Sequence, residues 1–103
     1  KEFRAAYTKA YKIEPDVYAV QGYDAALLLA AGLEGVKGDF SKRKEMIAAM
    51  EKTRIDSPRG AWIMSKAHNP IQDIYLRKVV GRENRFVSIA HKALADPARG
   101  CKM

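Results

Sequence analysis

Ser57, His68 and Asp73 supply the residue types of a nucleophile, a general base and an orienting carboxylate, the parts of a hydrolytic triad. That chemistry needs the serine raised on a glycine-flanked elbow, whereas Ser57 precedes a proline in the turn Asp56-Ser57-Pro58-Arg59-Gly60. The simpler reading is turn chemistry, with Ser57 and Asn69 bonding turn backbone and His68 a solvent-exposed turn residue. His68, His91 and Cys101 are too scattered for a recognisable metal site. The expectation is a non-enzyme with no catalytic residues, no metal and no cofactor.

Tyr18, Gln21 and Tyr23 open an apolar segment where aromatic bodies with polar tips could line a small-molecule cleft. Spacing alone leaves a core role open for both tyrosines. A third candidate is the charge. The chain carries 19 Lys plus Arg against 12 Asp plus Glu, a formal net charge of +7. The excess is local: residues 1–40 sum to −1 and residues 41–103 to +8. Arg77, Lys78, Arg82 and Arg85 near Tyr75 and Phe86 could touch nucleic acid, in which case affinity would fall steeply with salt. No phosphate loop or RNA-binding signature accompanies them, so a solvated basic face is the simpler reading.

These residues must be positioned by local elements. Phe3, Ala6, Tyr7, Ala10 and Tyr11 recur at helical spacing and predict a first helix over about Glu2 to Lys12. Pro15 and Asp16 open a second, and its residues through Leu33 are so apolar that burial on more than one side is expected. Glycines 32, 35 and 38 are expected to loosen and end it. Asp39 and Ser41 would then cap a third helix carrying Met46, Ile47, Ala49 and Met50. After Thr53 the pattern changes to strands at Ala61–Ser65, Ile74–Val80 and Arg85–Ile89, with residues 91–103 as a tail.

At 103 residues, 48% hydrophobic and 30% charged, the chain has the size of one domain. Three helices followed by a small antiparallel strand region make an α+β chain in which the very apolar second helix has no preceding strand to lie on. Something to cover that helix is wanting. No apolar run reaches the ~18 residues of a spanning helix. Lys1 stands where a methionine would begin a primary product, so a processed or truncated product is expected. Cys101 is the one cysteine, which excludes an internal disulfide and leaves a free or externally paired thiol.

Several segments in order resemble one family: Phe3-Arg4-Ala5-Ala6-Tyr7, Pro15 through Ala26 (PDVYAVQGYDAA), Asp56-Ser57-Pro58-Arg59-Gly60, and Asn69-Pro70-Ile71-Gln72-Asp73-Ile74-Tyr75. With the ending Ala95-Asp96-Pro97 and Gly100-Cys101-Lys102-Met103, they resemble the C-terminal portion of type I periplasmic solute-binding proteins of the branched-chain amino acid ABC transporter group. The resemblance covers nearly the whole chain. It implies a fragment of a two-lobed α/β fold that closes on its ligand like a hinged clamp and hands it to a membrane permease.

By that likeness residues 1–53 are helices of the first lobe, 54–80 a strand region with the hinge crossing, and 81–103 a second-lobe strand and tail. The implied function is capture of a small carboxylate-bearing solute, an amino acid or aromatic acid, in the periplasm for ABC import. The partners are the solute and the ABC permease, with no nucleic acid expected. Tyr18 stands where the family commonly presents an aromatic ring to the ligand, with Gln21 and Gly22 as weaker candidates and Tyr23 and Asp24 packing or capping within the lobe. The isolated fragment would expose apolar surface and is expected to self-associate or swap strands. The alternative remains a free-standing basic nucleic-acid-binding module.

Overall fold

The computed structural model describes residues 2–100, so the pairing of Cys101 lies outside the described residues. The order is α1 (Glu2–Tyr11), α2 (Val17–Gly35), α3 (Arg43–Lys52), then strands β1 (Arg54–Ile55), β2 (Trp62–Met64), β3 (Pro70–Val80) and β4 (Glu83–Leu94). The helices-then-strands reading is what the structure shows.

On α1 the rings at helical spacing form a ladder, Phe3 to Tyr7 at 5.9 Å and Tyr7 to Tyr11 at 4.6 Å between centroids. Phe3 also rests on Tyr23 of α2, 4.9 Å away. As expected, Asp16 caps α2, its carboxylate accepting from the Ala19 amide at 2.8 Å. The helix closes where Gly38, at φ +80°, donates its amide to the Leu33 carbonyl at 2.9 Å.

Gly35 is the last residue of α2, as expected, but Gly32 lies inside the helix and does not end it. Both let α3 approach. A Cβ on Gly32 would meet Met50 Cγ at 2.6 Å, and one on Gly35 would meet Ala49 Cβ at 2.5 Å. The expected Asp39–Ser41 cap of α3 is also corrected. Lys42 is the capping position and makes no side-chain cap bond. The Asp39 carboxylate is consumed locally by Ser41, accepting from its hydroxyl at 2.6 Å and its amide at 3.0 Å. The Ser41 hydroxyl, then its amide, hold the Asp39 carboxyl below its usual range.

The strands form one antiparallel sheet in the order β1-β2-β3-β4. Two differences from the sequence reading stand out. The short β1 is a strand only because it pairs with β2, Ile55 opposite Trp62. Residues 91–94 belong to β4 rather than to a tail, since Gln72 of β3 pairs with Leu94 across an irregular register.

Among the described hydrophobic residues only Val36, Ile55 and Trp62 are buried. The radius of gyration is 16.1 Å, against about 13 Å for a compact domain of this length. The expectation that α2 is buried on more than one side is not met within this chain. One stripe packs on α3 and β1, while Tyr18, Tyr23 and Leu29 are exposed. The ribbon of β3 and β4 likewise leaves Leu76, Val79, Phe86 and Val87 uncovered. The rest of α2, the helix that the sequence marks as needing cover, receives little from residues 2–100.

Candidate functional site

The turn after β1 carries the densest polar network of the described residues. The Gly60 amide bonds the Ser57 carbonyl at 3.0 Å, and the Arg59 amide donates to Ser57 Oγ at 3.3 Å. Gly60 sits at φ +115°, a conformation that other residues rarely adopt. A Cβ there would also lie 2.9 Å from the Tyr75 hydroxyl. That hydroxyl donates to the Arg59 carbonyl at 2.8 Å, tying the turn to β3.

So held, Arg59 turns its side chain toward α2. Its Nε donates to Asp24 Oδ2 at 2.9 Å, and Trp62 Nε1 donates to the same oxygen at 3.2 Å. The Asp24 side chain is 4% exposed and that of Arg59 23%. A buried carboxylate persists only when paired and hydrogen-bonded, so this ion pair holds α2 to the β1–β2 turn. Asp24 Oδ1 is buried without a partner among the described residues. The expectation that Asp24 packs within the fold is met, but in an ion pair that spacing did not reveal.

Between the start of α2 and β3 lies a cleft of about 660 Å³. Pro15, Asp16, Val17 and Val20 form one wall, Ile74, Tyr75 and Arg77 the other, and Arg59 stands between them. This is within the usual range for small-molecule sites. A second, smaller hollow of about 140 Å³ shares Arg59, Gln72, Asp73 and Tyr75 with the first. The acidic groups at the rim are engaged by backbone: Asp16 caps Ala19, and Asp73 accepts from the Ala93 amide at 2.8 Å. Arg77 reaches the Asn84 carbonyl at 3.5 Å. The two terminal nitrogens of Arg59 donate to none of the described residues.

Val17, Val20 and Asp24 share the helical face turned to the cleft and the ion pair, three and four residues apart. Tyr18 and Gln21 stand on a neighbouring face about a quarter-turn away, Gly22 lies nearly opposite the cleft face, and all three are exposed. The structure thus sets Tyr18 and Gln21 beside the cleft and Gly22 away from it, none of them on the walls just described. Tyr18 is 74% exposed. Sequence reasoning passed over Arg59, whose signal was a cation locked between Pro58 and Gly60 in a turn.

The residue types of the hydrolytic triad are each engaged elsewhere. Ser57 Oγ serves the Arg59 amide, His68 Nε2 meets Glu51 at 2.8 Å, and Asp73 holds Ala93. Ser57 and His68 are turn residues as expected, but the Asn69 side chain is not, since its Nδ2 donates to Asp96 at 2.7 Å. Ser65 Oγ accepts from the Asn69 amide instead. Arg77, Lys78, Arg82 and Arg85 are exposed at the far end of the β3–β4 ribbon, where Tyr75 and Phe86 pack edge to face at 5.8 Å.

Three helices, a four-stranded antiparallel sheet and a cleft where α2 faces β3 make up the described residues. Residues 1–84 match the family described as periplasmic binding protein, and the chain belongs to that family. It is similar to a solute-binding protein of an ABC transporter from R. palustris, solved in complex with benzoate. The two share 49% identity at a TM-score of 0.93, over 99% of this chain and 28% of that one. A second solute-binding protein of an ABC transporter, from Rhodopseudomonas palustris BisB5 in complex with 3,4-dihydroxybenzoic acid, is 31% identical. Its TM-score is 0.79, over 95% of this chain and 28% of that one. This chain therefore spans just over a quarter of the length of either. No match is found among curated proteins.

Proposed function

We propose that these residues belong to an extracytoplasmic receptor that captures a small aromatic carboxylate and delivers it to an ABC permease. The observation that carries the reading is 49% identity, at a TM-score of 0.93 along nearly the whole chain, to a receptor holding benzoate. The cleft agrees in kind, with apolar side chains Val17, Val20 and Ile74 beside two arginines, Arg59 and Arg77. Residues 1–53 would form a helical part of the first lobe, 54–80 the strand region with the hinge crossing, and 81–103 a second-lobe strand and tail. A ligand touching both lobes would favour the closed clamp by its differential contacts. Tyr18, with Gln21 and Gly22 behind it, would present its ring from the adjacent face of α2 as the lobes close. In isolation, the uncovered faces of α2 and the ribbon would pair with a second copy.

Calorimetric titration of the full-length protein tests this. At about −1 kcal/mol per heavy atom, inside the range for very small ligands, benzoate reaches a Kd of about a micromolar. Leucine is expected to bind far more weakly. Absence of heat with benzoate at millimolar concentration would overturn the reading. Tyr18→Ala is expected to weaken benzoate by about tenfold through the lost ring contact. Unchanged affinity would remove Tyr18 from the site.

A further inference from the structure

We infer that the β3–β4 ribbon is a pivoting wall of the cleft, bending over residues 72–77, where β4 carries extra residues and Asp73 holds the Ala93 amide. The inference rests on the receptor reading above and names the stretch whose bending sets the width of that site.

The register marks where the ribbon yields. Arg77, Lys78, Val79 and Val80 face Phe86, Arg85, Asn84 and Glu83 without a slip. Nearer the base the ladder slips between Gln72 and Ile74, between Ile74 and Tyr75, and between Leu76 and Arg77. Gln72 faces Leu94 and Arg77 faces Phe86, so β4 advances eight residues while β3 advances five. The extra residues are all on β4: Ala90 and Val87 have no counterpart, and Lys92 and Ala93 share Asp73. An extra residue breaks the ladder locally and bends its strand, so a series on one strand concentrates bending in this stretch. Ala93 also sits at φ +45°, a left-handed conformation that alanine seldom adopts. Its amide donates to the Asp73 carboxylate at 2.8 Å. A side-chain acceptor can follow a moving amide through its own torsions, which a ladder carbonyl cannot.

Both ends of the irregular stretch are fixed. At its base β3 pairs with β2 through Ile71 and Pro70, and Asn69 Nδ2 donates to Asp96 at 2.7 Å. The Ser65 amide donates to the Asn69 carbonyl at 2.8 Å and closes the turn beneath. Beyond the slips, Arg77 reaches across to the Asn84 carbonyl and ties the regular ladder together. Arg77 and Asn84 border the cleft at this outer end, while Gln72, Asp73, Ile74 and Tyr75 border it from the irregular stretch. Pro15, Asp16, Val17 and Val20 form the wall at the start of α2. A bend over residues 72–77 therefore carries Arg77 and Asn84 toward or away from α2 and changes the opening of the cleft. Asp73 is a positioning residue in this device, keeping the Ala93 amide paired as the strand turns.

The test is amide hydrogen exchange on the full-length protein, with and without saturating benzoate. Without ligand, the amides of residues 74–76 and 87–93 are expected to exchange at least about tenfold faster than those of Arg77, Lys78, Arg85 and Phe86, relative to unfolded chain. Benzoate is expected to slow the first group by at least about tenfold and the second by less than about threefold. Asp73→Ala should speed the Ala93 amide by about tenfold, and Asp73→Asn, which keeps an acceptor oxygen, should restore it to within about threefold. Equal protection along the whole ribbon in the ligand-free protein would overturn the inference, and that comparison needs no variant. Equal slowing of both groups by benzoate would do the same, as would an Ala93 amide indifferent to Asp73→Ala. If calorimetry finds no benzoate binding, the receptor reading fails and the inference with it. A protein that binds benzoate over a uniformly protected ribbon sinks the inference alone.

Discussion

Replacing Asp24 by alanine is expected to destabilise the protein by about 3–5 kcal/mol. The reason is asymmetric. Asp24 Oδ2 is the shared acceptor for Arg59 Nε and Trp62 Nε1, so its removal strands one part-buried cation and one buried donor together. Neither can turn to water without disturbing the turn, because Gly60 and Tyr75 hold Arg59 from behind. Asp24→Asn keeps an acceptor oxygen of the same shape but gives up the charge, and should cost about half as much. Urea unfolding of the full-length variants reads both values from the midpoints. A loss below about 1 kcal/mol for Asp24→Ala would place this ion pair among those that contribute little to stability.

Trp62→Ala is expected to cost a similar ~3–5 kcal/mol, here through a cavity. Trp62 is 5% exposed and is the bulkiest of the buried hydrophobic side chains. It stands opposite Ile55, so its loss uncovers the β1–β2 pair as well as Asp24. Trp62→Phe keeps most of the packing and removes only the N–H, with an expected cost of about 1–2 kcal/mol. Combining Trp62→Phe with Asp24→Asn should cost less than the sum of the two, because both act on one shared hydrogen bond. Strict additivity in that double-mutant cycle would mean the indole and carboxylate are not coupled.

Local patterns made the helices legible. Rings four apart on α1 announce a helical stripe, and Pro15-Asp16 announces the start of α2 because the cap chemistry is carried by those two residues. The unmet need of α2 for cover was also readable, since an apolar circumference requires neighbours whatever the fold. Non-local pairing was hidden. Nothing in Arg54-Ile55 alone marks a strand; its partner Trp62 does. The run from His91 to Leu94 reads as a tail until Gln72 is brought opposite it.

The site was legible in the same partial way. Tyr18, Gln21 and Gly22 came from likeness to a family, and they lie on the helix that borders the cleft. Asp24 and Arg59 are 35 positions apart, so no spacing rule could join them. Helical period could have separated Val17 and Val20 from Tyr18, but which face meets β3 depends on where the turn at Ser57–Gly60 folds back. Gly32 misled for a related reason: glycine inside a helix reads as weakness until Met50 is seen against it.

The central proposal is that these residues belong to a receptor for a small aromatic carboxylate. A crystal structure of the full-length protein grown with benzoate tests it most directly. The account predicts benzoate bound where the start of α2 faces β3, its ring against Val17, Val20 and Ile74. Benzoate bound without touching α2 or β3, or no bound benzoate, would contradict the account.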